Sequence, residues 1–184
     1  DENSQIAIGR DNTATHLDTI AIGRDTHATG SGATAFGARA DASGNNSIAI
    51  GQSGKNSDRV VASGVNAIAI GMQSQATGES AIAEGPGSRA NGKYGVALGR
   101  TTKANAEAAT ALGSAAEANI ANGVALGSSS VTTTDKGVLG YNPSDLHTRK
   151  YTNLQGNVQT ATTAAVSIGN GDTLTRQLTG LAAG

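Results

Sequence analysis

The sequence predicts an all-β fold, a parallel β-solenoid with coils of 14 residues, and three observations lead to it. A short phrase, apolar–Ala–apolar–Gly, recurs along the chain. Its glycine returns at a fixed interval. The composition lacks the bulky side chains that fill an ordinary core: 26 of 184 residues are Gly, with one Phe, one Met and no Trp. Such a chain can still bury apolar surface by stacking small units along an axis, each packed on its neighbours.

The phrase stands as Ile6-Ala7-Ile8-Gly9, Ile20-Ala21-Ile22-Gly23, Ile48-Ala49-Ile50-Gly51 and Ile68-Ala69-Ile70-Gly71. It returns as Val96-Ala97-Leu98-Gly99, Val124-Ala125-Leu126-Gly127 and Val166-Ser167-Ile168-Gly169, with looser copies ending at Gly37, Gly85 and Gly113. The glycines are 14 residues apart from Gly9 to Gly51 and again from Gly71 to Gly127, and the step to Gly169 is 42, three times 14. About 12 coils at about 4.8 Å each predict a rod of roughly 55–60 Å.

A second column confirms the coil. Nine residues before the glycine stand Ala14, Ala28, Ala42, Ala62, Ala76, Ala90, Ala104 and Ala118, and seven before it Gly30, Gly44, Gly64, Gly78 and Gly92 recur. Each coil therefore carries two short extended segments joined by turns rich in Gly, Asn, Ser and Asp. Side chains alternate along a strand, so Ile6 and Ile8 share one face and Ala7 takes the other. The expectation is that the Ile/Val/Leu face fills the inside of the coil, capped by the Ala column of the opposite segment. The central Ala column then forms a flat outer face suited to another chain. Two large aliphatics per coil are too few to offset the ordering of 14 backbones, so self-association is expected.

One interval breaks the period: Gly51 to Gly71 is 20 residues, six too many. Val60–Gly64 aligns with the following coil, which places the extra residues at Ser53, Gly54, Lys55, Asn56, Ser57 and Asp58, a polar corner loop. Glu84 occupies a slot held elsewhere by Ile, Leu or Phe; on the expected inside it needs a local distortion before Pro86 or an Arg partner. After Gly127 the phrase fades until Ala165, and the stretch between reads as irregular coils or an insertion.

Several function classes fail on spacing or charge. With 13 basic and 14 acidic residues evenly spread, no patch tracks a phosphate backbone, so nucleic acid is not an expected partner. Cysteine is absent, which removes thiolate chemistry and disulfides. His16, His27 and His147 fall at different coil offsets and predict no metal site. Arg10–Asp11 and Arg24–Asp25 read as a surface ion-pair ladder. No nucleotide fingerprint and no nucleophile–base pair stands out, so neither a cofactor nor catalysis is expected. No apolar run reaches the roughly 20 residues of a membrane helix, and no targeting segment is visible; if secreted, this is a mature segment whose targeting and anchoring parts lie elsewhere.

The repeated Ser/Asn-x-Ile/Val-Ala-Ile/Leu-Gly phrase resembles the head repeat of YadA-type trimeric autotransporter adhesins. The ending Arg176-Gln177-Leu178-Thr179-Gly180-Leu181-Ala182-Ala183-Gly184 resembles their neck, which joins head to stalk. On this likeness residues 1–127 are head repeats, 128–163 match poorly, and 164–184 are a last repeat with the neck. The resemblance implies a left-handed parallel β-roll, a homotrimer around one axis, a neck leading to a coiled coil, and display on the bacterial outer membrane, with membrane contact only through a C-terminal anchor. It implies attachment to host matrix or serum proteins, collagen, fibronectin or immunoglobulin among them. It makes Arg176, Gln177 and Leu178 candidates for locking the trimer, and leaves the Ser53–Asp58 loop as the candidate ligand site. The competing expectation is a rigid spacer or self-association module with ligand binding elsewhere.

Overall fold

The structure is a computed structural model and describes residues 4–54, 58–137 and 160–179. Every named strand within them belongs to one of two parallel sheets. The front sheet has ten strands, from Gln5–Arg10 through Ile48–Ile50 and Ile82–Glu84 to Val124–Leu126 and finally Val166–Ser167. The rear sheet has eight, from Thr13–Ala14 through Ala40–Ala42 to Glu117–Ala118. The chain alternates between them, so each coil gives one strand to each sheet. Like residues stack on like: Ile8 on Ile22, Ala49 on Ala69, Ala90 on Ala104, Leu112 on Leu126.

The corners explain how the chain turns so tightly. Two residues after most phrase glycines the backbone enters the left-handed region, at Asp11, Asp25, Arg39, Gln73, Gly87, Thr101, Ala115 and Ser129, with Ser53 at the insertion the exception. A second such column runs through Asp18, Gly32, Asn46, Asn66, Ser80, Tyr94, Ala108 and Asn122. Asp, Asn and Gly suit that conformation, whereas Thr101 and Tyr94 hold it against their own preference. The phrase glycine has its own reason. At Gly37 the φ is 114° and a Cβ would lie 1.9 Å from the carbonyl oxygen of Gly51, so no other residue fits between successive coils.

The interior reverses the sidedness read from the sequence. The central alanines of the front sheet, Ala21, Ala35, Ala49, Ala69, Ala83, Ala97, Ala111 and Ala125, are fully buried, and so are the rear-sheet alanines that face them. The Ile, Val and Leu residues of the front sheet lie on the outside. The physical reason is width. Strands mostly two or three residues long leave a slot that only small side chains fill, and the largest fully buried one is Val60. Two further inner columns consist mainly of Ser, Thr, Ala and Gly, with Val60 level with Ala40 in one of them. Their hydroxyls bond to coil carbonyls, as when Thr26 Oγ1 donates to Gly37 O at 2.5 Å and Thr102 Oγ1 to Gly113 O at 2.6 Å. The Ser47 and Ser88 hydroxyls have no such partner.

The far end also departs from the periodic reading. The front sheet steps directly from Val124 to Val166, so the 42-residue interval is one rung with an excursion, not three coils. The roots of that excursion meet, with Ala165 N donating to Thr134 O at 3.2 Å and Gly137 N to Ala161 O at 2.8 Å. A long insertion whose ends are clasped leaves the stack in register. Tyr141, Pro143, His147 and Tyr151 lie outside the described residues.

Candidate functional site

No three His, Asp or Glu side chains come together as metal ligands among the described residues. His16 sits beside Thr15 and His27 beside Asp25, on different coils. What the fold builds instead is two unlike outer faces, an insertion and a closed end.

The front face is apolar. One column runs Ile20, Thr34, Ile48, Ile68, Ile82, Val96 and on to Val124, and the next Ile22, Phe36, Ile50, Ile70, Glu84, Leu98, Leu112 and Leu126. Phe36 is 51% exposed, Leu112 43% and Leu126 42%, so the column forms an exposed apolar stripe. Glu84 needs no distortion to fit. Its slot points outward in every coil, and its strand pairs in regular register with Ile70 and Leu98.

The rear face is polar. His27, Asp41, Gln75, Arg89, Lys103 and Glu117 occupy its outer column, interrupted by Val61 between Asp41 and Gln75, and Lys103 pairs with Glu117 at 2.5 Å. An amide ladder runs beside it, with Asn91 Nδ2 donating to Asn105 Oδ1 at 3.3 Å and Asn105 Nδ2 to Asn119 Oδ1 at 2.7 Å. Lys93 lies 4.8 Å from the Tyr94 ring centre; its hydrogen bonds to Glu79 and Tyr94 raise its pKa to about 12.

The insertion is placed by the ladder rather than by spacing alone. Ser53 N donates to Ala38 O and Val60 pairs with Ala40, so the six extra residues are 54–59. Ser53, expected in the loop, is fully buried in the coil, and Gly54 and Asp58 flank Lys55, Asn56 and Ser57, which lie outside the described residues. The C-terminal stem is anchored twice. Gln73 Nε2 donates to Asp58 Oδ2 at 2.9 Å, and Arg59 reaches back two coils, donating to Asp25 Oδ1 at 2.7 Å and to Asp25 O at 3.0 Å. Arg39 and His27 also approach the same carboxylate, at 3.6 and 3.3 Å. Partial burial pushes the Asp25 carboxyl up, but the Arg59 hydrogen bond and the charges of Arg59, His27 and Arg39 outweigh it and hold the pKa below 3.8. Asp25 therefore belongs to this cluster and not to a simple ladder with Arg24. Sequence reasoning missed Arg59; its partner stands 34 residues away, and only the coil geometry brings them together.

At the end of the stack, Arg176 lies under Gly127 in the place where the next coil would continue. Its guanidinium donates to Ser130 Oγ at 2.9 Å and to the carbonyls of Ile168 and Ser128. Arg176 thus closes its own chain's last coil, while Gln177 and Leu178 stay exposed. A shallow cleft of about 360 Å³, lined by Thr134, Val166, Ile168, Leu174 and Arg176 among others, separates this segment from the last rung.

The comparisons with known proteins fit this architecture. The family described as the YadA head domain repeat matches residues 6–26, 28–57, 62–88, 90–116 and 104–130. Among solved structures, the collagen-binding domain of the Yersinia adhesin YadA superposes with a TM-score of 0.62 at 27% identity, covering 95% of this chain and 76% of that one. No curated protein matches by sequence. Both matches fall on the repeat that builds the two faces, and the chain belongs to the YadA head family, a family of non-enzymatic adhesin heads exposed at the cell surface.

Proposed function

We propose that this adhesin head works as a homotrimer on the bacterial outer membrane and attaches the cell to a host matrix or serum protein. The observation that carries the reading is the contrast between faces: an apolar front without cover and a polar, hydrogen-bonded rear. An uncovered apolar stripe along ten rungs favours burial against copies of itself, since an interior of alanines supplies little apolar area per coil. Three rolls joined by their front faces leave three rear faces pointing outward. Each offers a repeating row of polar groups, and weak contacts multiplied by repetition, by three chains and by many copies per cell give avidity without a tight pocket.

The YadA domain it resembles is a collagen-binding one, so collagen is the first ligand to try, with fibronectin and immunoglobulin beside it. The insertion at 54–59 supplies the chain-specific feature at the rim, and a C-terminal neck beginning near Arg176 leads toward a stalk and an anchor. Sedimentation velocity of the purified head tests the assembly, and a solid-phase assay against the three ligands tests adhesion. A trimer that binds at least one of them, with binding kept after front-face substitutions that preserve assembly, is the expected result. A trimer that binds none is a spacer.

A further inference from the structure

We propose that Glu84 is a charge break in the self-association face, so that copies of this chain hold each other more tightly in mild acid than at neutral pH. The inference rests on the self-association reading above and concerns its regulation. Glu84 stands in the outer column of the front sheet, in register between Ile70 and Leu98, with its inner neighbour Ala83 fully buried. Its backbone follows the same strand geometry as every other coil, so the carboxylate is presented where the others present a hydrocarbon. The adjoining column offers Ile68, Ile82 and Val96 at this height. No cation of its own chain therefore faces Glu84 from the strands packed against it, and among the described residues no ion pair or side-chain hydrogen bond reaches its carboxylate. The next cations along the chain, Arg89 and Lys93, stand in the rear sheet beside Lys103 and in an ion pair with Glu79, and Arg100 lies beyond Gly99 at the corner of the following coil.

Closing the face against other copies takes this carboxylate out of water. The charged form resists desolvation, and parallel copies around one axis bring equivalent carboxylates to one height, where like charges add to the cost. Protonation removes both penalties and leaves a side chain that an apolar seam tolerates. Assembly then takes up protons, and its strength rises as pH falls. The opposite sign belongs to a different arrangement, in which Arg100 of one copy pairs with Glu84 of the next and acid weakens the assembly.

The test compares wild type, Glu84→Gln and Glu84→Leu by sedimentation at about pH 7.5 and about pH 4.5, with circular dichroism to verify the fold at both. The wild-type dissociation constant falls by about tenfold or more on acidification, the factor that one pKa unit of coupling supplies. Glu84→Gln removes most of that response and matches acid wild type at both pH values, and Glu84→Leu assembles at least as tightly. The other titrating groups are common to all three chains, so the difference isolates Glu84. Equal pH responses in wild type and Glu84→Gln, or a wild type that loosens in acid, overturn the proposal while leaving self-association intact. If neither wild type nor Glu84→Leu assembles at any pH, the self-association reading falls and this proposal with it.

Discussion

The front and rear sheets share one interior and differ only outside. Both line the slot with alanine, both run parallel with a 14-residue register, and both are turned by left-handed corners. Outside, the front carries Ile, Leu and Phe, and the rear carries His, Asp, Gln, Arg, Lys and Glu. Inward positions are governed by volume and are nearly invariant from coil to coil. Outward positions are released from that constraint, and their chemistry reports what each face meets. The sharpest way to break the comparison is to move bulk from the outside to the inside. Ala97→Leu puts next to Val96 and Leu98 the same kind of side chain they carry, but in a position with no exposure and no room. Overpacking costs about 3 kcal/mol or more, read as a large drop in Tm by circular dichroism. Thr110→Ile, one rung away on the outer column, leaves the fold intact and strengthens assembly.

The second substitution keeps the interior and reverses the outside. Leu98→Asp places a carboxylate on the front face, and Gln75→Asp places one at an outward position of the rear. On the front, the dissociation constant of the proposed self-association rises by about a hundredfold, near 2.7 kcal/mol. On the rear, assembly is unchanged within error. Equal effects on the two faces abolish the distinction on which the functional reading stands.

The period, the parallel register and the two segments per coil were legible because they depend only on residue identity at fixed intervals. Which side faces inward was not. Alternation separates Ile6 and Ile8 from Ala7 but is symmetrical between inside and outside. Deciding it requires the width of the slot. The signal was present in the short strands and in the inner Ser, Thr and Ala columns, such as Thr26, Ala40, Ser74 and Ser88, which leave no space for Ile. The stretch before Val166 read equally as irregular coils or an insertion for another reason: an interval divisible by 14 imitates missing coils, and only strand pairing separates the two. The Ser53–Asp58 loop was placed within one residue, while its anchor at Asp25 and Arg59 needed the stack itself.

A smaller effect sharpens the comparison at the corner between the sheets. The exposed pair Arg10–Asp11, 73% and 69% accessible, contributes little. The Asp25 cluster is better shielded, with Arg39, Arg59 and Asp25 side chains 16%, 19% and 29% accessible. Asp25→Asn costs about 1 kcal/mol at neutral pH in urea unfolding. The folded-state pKa lies below the unfolded value of 3.8, so this stabilisation is complete above 3.8 and is lost as pH falls through the lower folded value. The gap between wild type and Asp25→Asn therefore closes in strong acid; a gap that persists there assigns the loss to packing instead of charge.

The smallest predicted effect is a gain. Ala115 holds φ at 57° on an exposed corner, in the column where the other coils place Asp11 and Asp25. A left-handed conformation costs an alanine about 1 kcal/mol, and asparagine tolerates it because its short amide bonds to the local backbone. Glycine relieves the strain too, but it also frees the unfolded chain, which returns part of the gain. Ala115→Asn therefore stabilises the roll by about 0.5–1 kcal/mol, Ala115→Gly by less, and neither alters assembly, because the corner belongs to neither outer face. Paired urea titrations resolve the order. Should glycine prove the better residue, the corner's strain outweighs the entropy of the unfolded chain, and the same substitution at Ala108, where φ is 50°, follows suit.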